Sequence, residues 1–117
     1  MDWWTEMNAP DMSMPAPQWP YMYLFVRQDL SMPQQIVQAA HAVDELTIRC
    51  PSEGENRMVL CGADNEHMLK NIALYLDSEF IDYEMFHESD IGEYTAIATK
   101  PLRGSERRAM RRFNIMK

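Results

Sequence analysis

Tyr21-Met22-Tyr23-Leu24-Phe25-Val26-Arg27, followed at once by Gln28-Asp29-Leu30-Ser31-Met32-Pro33-Gln34, is the stretch that decides the fold. The first seven residues are aromatic, aliphatic and β-branched, with no polar alternation. That pattern suits a buried strand. Ser31 and Gln34 then fit a capping box: the Ser31 hydroxyl accepts from the backbone near Gln34, and the Gln34 side chain reaches back. Pro33 is tolerated because it falls in the first turn. The spacing predicts a helix to about Arg49, with Ile36, Ala40, Val43, Leu46 and Cys50 on its core face. Pro51, Ser52 and Gly54 end it.

Downstream the signals alternate again. Arg57–Cys61 reads as a second strand. Asp64 can cap a helix running to about Ser78, with Met68, Leu69, Ile72, Tyr75 and Leu76 inward. Phe80–Phe86 reads as a third strand, with Ile81, Tyr83 and Met85 on one face and Asp82 and Glu84 on the other. The segment 87–92 is a polar loop, Tyr94–Thr99 a fourth strand, and Ser105 can cap a last helix through Phe113. The order βαβαββα predicts an α/β three-layer sandwich, a mixed four-stranded sheet flanked by helices.

Upstream lies a segment of another kind. Residues 1–20 hold all three tryptophans (Trp3, Trp4, Trp19), four of the seven prolines and Met1, Met7, Met12 and Met14. Proline blocks both kinds of hydrogen-bond ladder, so these residues read as an extended arm before a domain spanning 21–117. Three indoles are a large apolar load, and the arm can dock on its own domain, on a second copy to make a homodimer, or on a ligand.

Composition excludes several classes. The 117 residues make one modest domain. Four glycines leave no room for a P-loop or a dinucleotide fingerprint. No apolar run is long enough to cross a bilayer, and no basic segment leads into an apolar one as in a secretory signal. Cys50 and Cys61 fit no disulfide framework, so a cytoplasmic setting is expected. Neither has a base nearby in sequence, and His41, His67 and His87 are scattered, so no covalent nucleophile, metal or other cofactor is expected.

Net charge is −7, but Lys100–Lys117 carries seven basic residues against Glu106, while the rest of the chain sums to −13. The basic tail either lies on the acidic body or contacts phosphates. Arg107, Arg108, Arg111 and Arg112 share one helical face, and a phosphate contact through them would weaken steeply with salt.

The candidate site residues cluster around the first βα unit. Arg27 and Asp29 bracket the carboxyl end of the first strand, where open α/β sheets bind ligands. Gln34, Gln38, His41 and Glu45 recur at i, i+4, i+7 and i+11 and form one polar stripe on the helix. By itself, such a stripe is most simply a solvated face.

Val26-Arg27-Gln28-Asp29-Leu30-Ser31-Met32 with Gln38-Ala39-Ala40-His41-Ala42 resembles the peptidyl-tRNA hydrolase type 2 family. That family combines an Arg-x-Asp-Leu at a strand end with a helical Gln-x-x-His-Ala. Tyr94–Pro101 looks like the family's last strand, and the likeness covers about residues 21–117. The resemblance implies hydrolysis of the ester joining a peptide to the 3′ end of tRNA. Such a site must position a water, take its proton and stabilise an oxyanion.

Carried over, Gln38 and His41 match the helical pair and Thr95 the strand threonine, with Asp90 or Glu88 as the loop carboxylate. Arg27, Asp29, Gln34, Gln35, Arg107, Arg108 and Arg111 would bind substrate. Two features depart from the family. The start of the helix is shorter by about two residues and lacks the Gly-Lys pair; Gln34 or Gln35, neither of them charged, occupies that region. The loop before the last strand is also shortened. The alternative expectation is therefore an inactive member that binds a nucleotide, RNA or a protein partner in the same cleft.

Overall fold

Tyr21–Arg27 forms strand β1 in the computed structural model, which describes residues 20–51, 56–113 and 116. The expected arm, Pro20 excepted, and Ser52 and Gly54 lie outside the described residues. All seven β1 residues are buried, as a strand covered on both faces requires. Helix α1 (Met32–Arg49), strand β2 (Arg57–Ala63), helix α2 (Glu66–Ser78), and strands β3 (Tyr83–Glu88) and β4 (Glu93–Thr99) follow. Helix α3 (Ser105–Arg108) then tightens into a 3₁₀ turn, Ala109–Arg112.

The sheet order is β2-β1-β4-β3. β1 pairs β2 in parallel and β4 antiparallel, and β4 pairs β3 antiparallel. The carboxyl ends of β1, β2 and β3 therefore meet the amino end of β4 along one edge.

Helices on both faces make three layers. On one face Ala42 and Leu46 of α1 pack on Met22, Leu24, Ala96 and Ala98. On the other, Leu69, Ile72 and Leu76 of α2 pack with Met110 on Tyr23, Phe25, Cys61 and Ile97. Leu46 and Leu76 are almost wholly buried. Each contributes about 1.5–3 kcal/mol of burial free energy. Both outer strands have an edge group engaged. The Met116 N–H donates to the Leu60 carbonyl on β2, and Arg49 Nη2 donates to the Tyr83 carbonyl on β3.

Several expected boundaries move, each for a physical reason. The inward residues of α1 are Gln35, Gln38, Ala42 and Leu46, whereas Ile36 is 64% exposed and Ala40 lies outside. The helix is turned by roughly 100°, one residue, from its apolar stripe. Its first turns bury amides because polar partners await them there. Asn65, not Asp64, caps α2, its side chain accepting from Met68 N–H at 3.0 Å. Met68 points outward and Ala73 inward. Ser105 makes no cap. Gly104, with φ 54°, stands at that position instead.

Phe80 and Ile81 belong to the end of α2 rather than to β3. Ile81 N–H reaches the Leu76 carbonyl and Phe80 N–H the Asp77 carbonyl, a Schellman closure. Ile81, the residue after the turn, is buried beside Leu76. Phe80 itself takes φ 56° and is 92% exposed. A β-carbon in this left-handed region costs about 1–2 kcal/mol. Phe80→Gly should therefore stabilise the fold by about 1 kcal/mol. Urea unfolding checks this, and an unchanged or lowered midpoint would refute it.

Candidate functional site

At the sheet edge where β1 and β3 end and β4 begins, three side chains from three elements form a continuous hydrogen-bonded relay. Thr95 Oγ1 donates to Gln38 Oε1 at 2.7 Å, and Gln38 Nε2 donates to Glu88 Oε2 at 2.9 Å. The carboxylate can only accept, so the orientation of the Gln38 amide is fixed chemically. Gln38 is 2% exposed and Thr95 fully buried. The amide also contacts Gln34 Oε1 at 3.4 Å, the weakest bond of the set.

Each element is shaped locally to deliver its group. Ser31 caps α1, accepting from Gln34 N–H at 3.3 Å, and so fixes the helix start above the strand end. Thr95 is aimed by a bulge. Phe86 pairs Ala96 while His87 pairs Tyr94, so Thr95 is the extra residue of β4. Tyr94 and Ala96 consequently pack on opposite faces, despite standing two apart. The extra residue turns its hydroxyl toward α1. Glu88 is set by the turn behind it, where Gly92, at φ 68°, donates its N–H to the Glu88 carbonyl.

The Gln38 amide, then the Asp90 N–H at 3.3 Å, stabilise the charged form of Glu88 and hold its pKa below the ordinary value. His41 and His87 add to this when protonated. His41 is exposed and stacks on Phe86, with ring centroids 4.8 Å apart and planes 8° from parallel. It stands beside the relay without a bond to it among those described. Gln35 is buried next to the same helix start. Its Nε2 donates to the Leu30 carbonyl at 2.8 Å, while its Oε1 is buried with no partner among the described residues.

The other residues expected at the site are distributed differently. Asp90 is exposed, and its tie to the relay is the backbone N–H on Glu88. Arg27 shares the strand parity of Phe25, which points away from α1. It is 7% exposed and bonds Asp29 through Nε and Nη2, and Glu93 and the Tyr94 carbonyl through Nη1. Four of its five N–H donors are thus committed. Those carboxylates raise the Arg27 pKa, and Arg27 in turn lowers that of Asp29.

The basic tail lies on the face opposite α1. Arg107 stacks over Tyr21 at 3.7 Å and donates to the Tyr23 hydroxyl, Met110 enters the core, and Arg112 covers Tyr75 at 4.3 Å. Arg108 and Arg111 are exposed on that segment. Tyr21 marks the amino end of β1, so Arg107 and the relay occupy opposite faces and opposite ends of that strand.

Glu88 carries the relay's charge, and the spacing of a single chain does not distinguish it from Asp90. The bulge that turns Thr95 toward Gln38, and so completes the relay to Glu88, is a property of strand pairing. Cys61 is buried, and burial pushes its thiol up to about 11, so it stays protonated at neutral pH. Among the described residues no three His, Cys, Asp or Glu side chains gather as a metal ion would need. No described helix is long and apolar enough to cross a membrane.

No protein-family profile matches the chain, and no curated protein matches it. A solved structure of a protein of unknown function from Agrobacterium tumefaciens strain C58 is similar, with a TM-score of 0.61 and 12% identity. The match covers 84% of this chain and 98% of that one. At this identity the likeness is one of fold.

Proposed function

We propose that the chain is a hydrolase of the peptidyl-tRNA hydrolase type 2 kind, cleaving the ester between a peptide and the 3′ end of tRNA at the Thr95–Gln38–Glu88 relay. The relay itself carries this reading. Glu88 can orient a water and accept its proton, because each carboxylate oxygen keeps a lone pair beyond the bonds to Gln38 and Asp90. The second amide hydrogen of Gln38, held at 3.4 Å by Gln34, is the donor easiest to transfer to a developing oxyanion. Thr95 locks the amide in the orientation that serves both tasks.

A second reading rests on Arg27. With four of its five donors committed to Asp29, Glu93 and the Tyr94 carbonyl, and with the basic tail on the other face, no described cation stands free beside the relay to replace the family's lysine. In that reading the cleft binds a nucleotide, RNA or a protein partner without turnover.

Release of peptide from N-acetyl-aminoacyl-tRNA distinguishes the two. Turnover that falls at least about 100-fold in Gln38→Ala supports hydrolysis here. His41→Ala should cost much less, since His41 flanks the relay. No turnover in the natural chain, with tRNA still retained on a filter, favours the binding reading.

A further inference from the structure

One face of the sheet is only partly roofed. Helix α1 packs over β4, β3 and β1. The flank of α1 toward β3 carries Gln38, His41 and Arg49, which meet Glu88, Phe86 and the Asp82–Glu84 pair. The other flank therefore looks toward β2. At helical spacing it presents Met32 and Ile36, 59% and 64% exposed, and half-buried Val43. On β2, Met58 and Leu60 share the register of Met22 and Leu24 and so the α1 face of the sheet. They are 56% and 37% exposed. Beyond them that face is closed, because a β-carbon on Gly62 would meet the Gln28 side chain. The outer edge of β2 is engaged by Met116 at Leu60. What stays open is an apolar strip on the face between α1 and β2.

We propose that residues 1–19 of this chain seat on this strip. Three observations select this occupant. The first is where the segment joins the fold: the Pro20 carbonyl accepts the Arg57 N–H at 3.0 Å, so the chain enters β1 beside the first residue of β2, one position before Met58. The second is reach. Nineteen extended residues span up to ~60 Å, whereas the seven-residue β2 measures about 23 Å. The third is composition. The segment holds Trp3, Trp4, Trp19 and four methionines, aromatic and adaptable apolar side chains that match a strip lined by Met and Ile. A free tail would leave both surfaces in water.

All three tryptophans of the chain lie in this segment, so the intrinsic indole emission of the full chain reports on it alone. The emission should lie to the blue of N-acetyltryptophanamide and resist acrylamide. Ile36→Glu and Met58→Glu, made singly, should each shift it to the red and raise the quenching constant severalfold, with far-UV circular dichroism unchanged. Leu74→Glu, on the outer side of α2, should leave it unchanged. Emission and quenching of the natural chain equal to the free fluorophore would overturn the proposal. So would strip variants with native emission, or a Leu74→Glu effect of equal size. Emission that reverts on dilution together with dissociation of a dimer in sedimentation would move the contact to a second copy and overturn the intrachain form. Should one strip variant lose its circular dichroism, the other and the natural chain's own emission decide.

Discussion

Glu88→Gln should lower kcat for peptide release at least about 100-fold while leaving the unfolding midpoint close to that of the natural chain. The substitution is nearly isosteric, so packing is kept. Its chemistry is reversed. A glutamine at position 88 can place an NH₂ where the carboxylate accepted from Gln38 Nε2. Gln38 must then flip, or lose that bond. A flipped Gln38 turns its NH₂ on Thr95 Oγ1, which now donates to its oxygen. The relay survives as hydrogen bonds but no longer holds a negative charge at its outer end.

The pH profile tells Glu88 from His41. A general base must be ionised to act, and Glu88 is held below its ordinary pKa by the Gln38 amide and the Asp90 N–H. Activity should therefore stay level from neutral pH down through the ordinary glutamate range near 4.3 and fall only in stronger acid. Glu88→Gln with natural turnover, or an acid limb at higher pH that His41→Ala removes, would take the proton from Glu88 and give it elsewhere.

The parts of the fold that were legible from residues alone are those fixed by local rules. β1 is a solid apolar run buried on both faces. α1 begins at the Ser31 cap. The order of elements follows from their alternation. What was not legible depends on partners distant in sequence. The apolar stripe Ile36–Ala40–Val43 points inward by periodicity, yet the helix turns Gln35 and Gln38 inward because Glu88 and Thr95, 50 and 57 residues away, satisfy Gln38 there. Ile36 is left at the surface as a result, 64% exposed. Thr95 was legible as a strand threonine, but its direction was not. Strict alternation puts it on the side of Ile97, and only the extra residue in β4 turns it to α1. Arg27 stood out at the strand end, while its commitment to Asp29 and Glu93 is a fact of three-dimensional pairing.

Phe25→Ala should cost about 4 kcal/mol, a shift of roughly 15 °C in Tm for a domain of this size. Phe25 is completely buried at the centre of β1, between Cys61 on one neighbouring strand and Ile97 on the other. Truncation removes its burial and leaves a cavity that two flanking strands cannot close. The loss also reaches the C-terminal segment. Phe113 meets Phe25 edge-on, with centroids 4.9 Å apart, and Tyr75 likewise at 5.5 Å. The Tyr75 hydroxyl in turn donates to the Ala109 carbonyl at 2.6 Å. These rings fasten the last turn to the sheet, with Arg112 over Tyr75. Phe113→Ala should cost less, since Phe113 is only half-buried. The double variant should then be more stable than the sum of the two losses implies by about 1 kcal/mol, the worth of an edge-on aromatic pair. Additive losses in urea unfolding would mean that Phe113 and Phe25 do not couple, and that Phe25 acts only through the core.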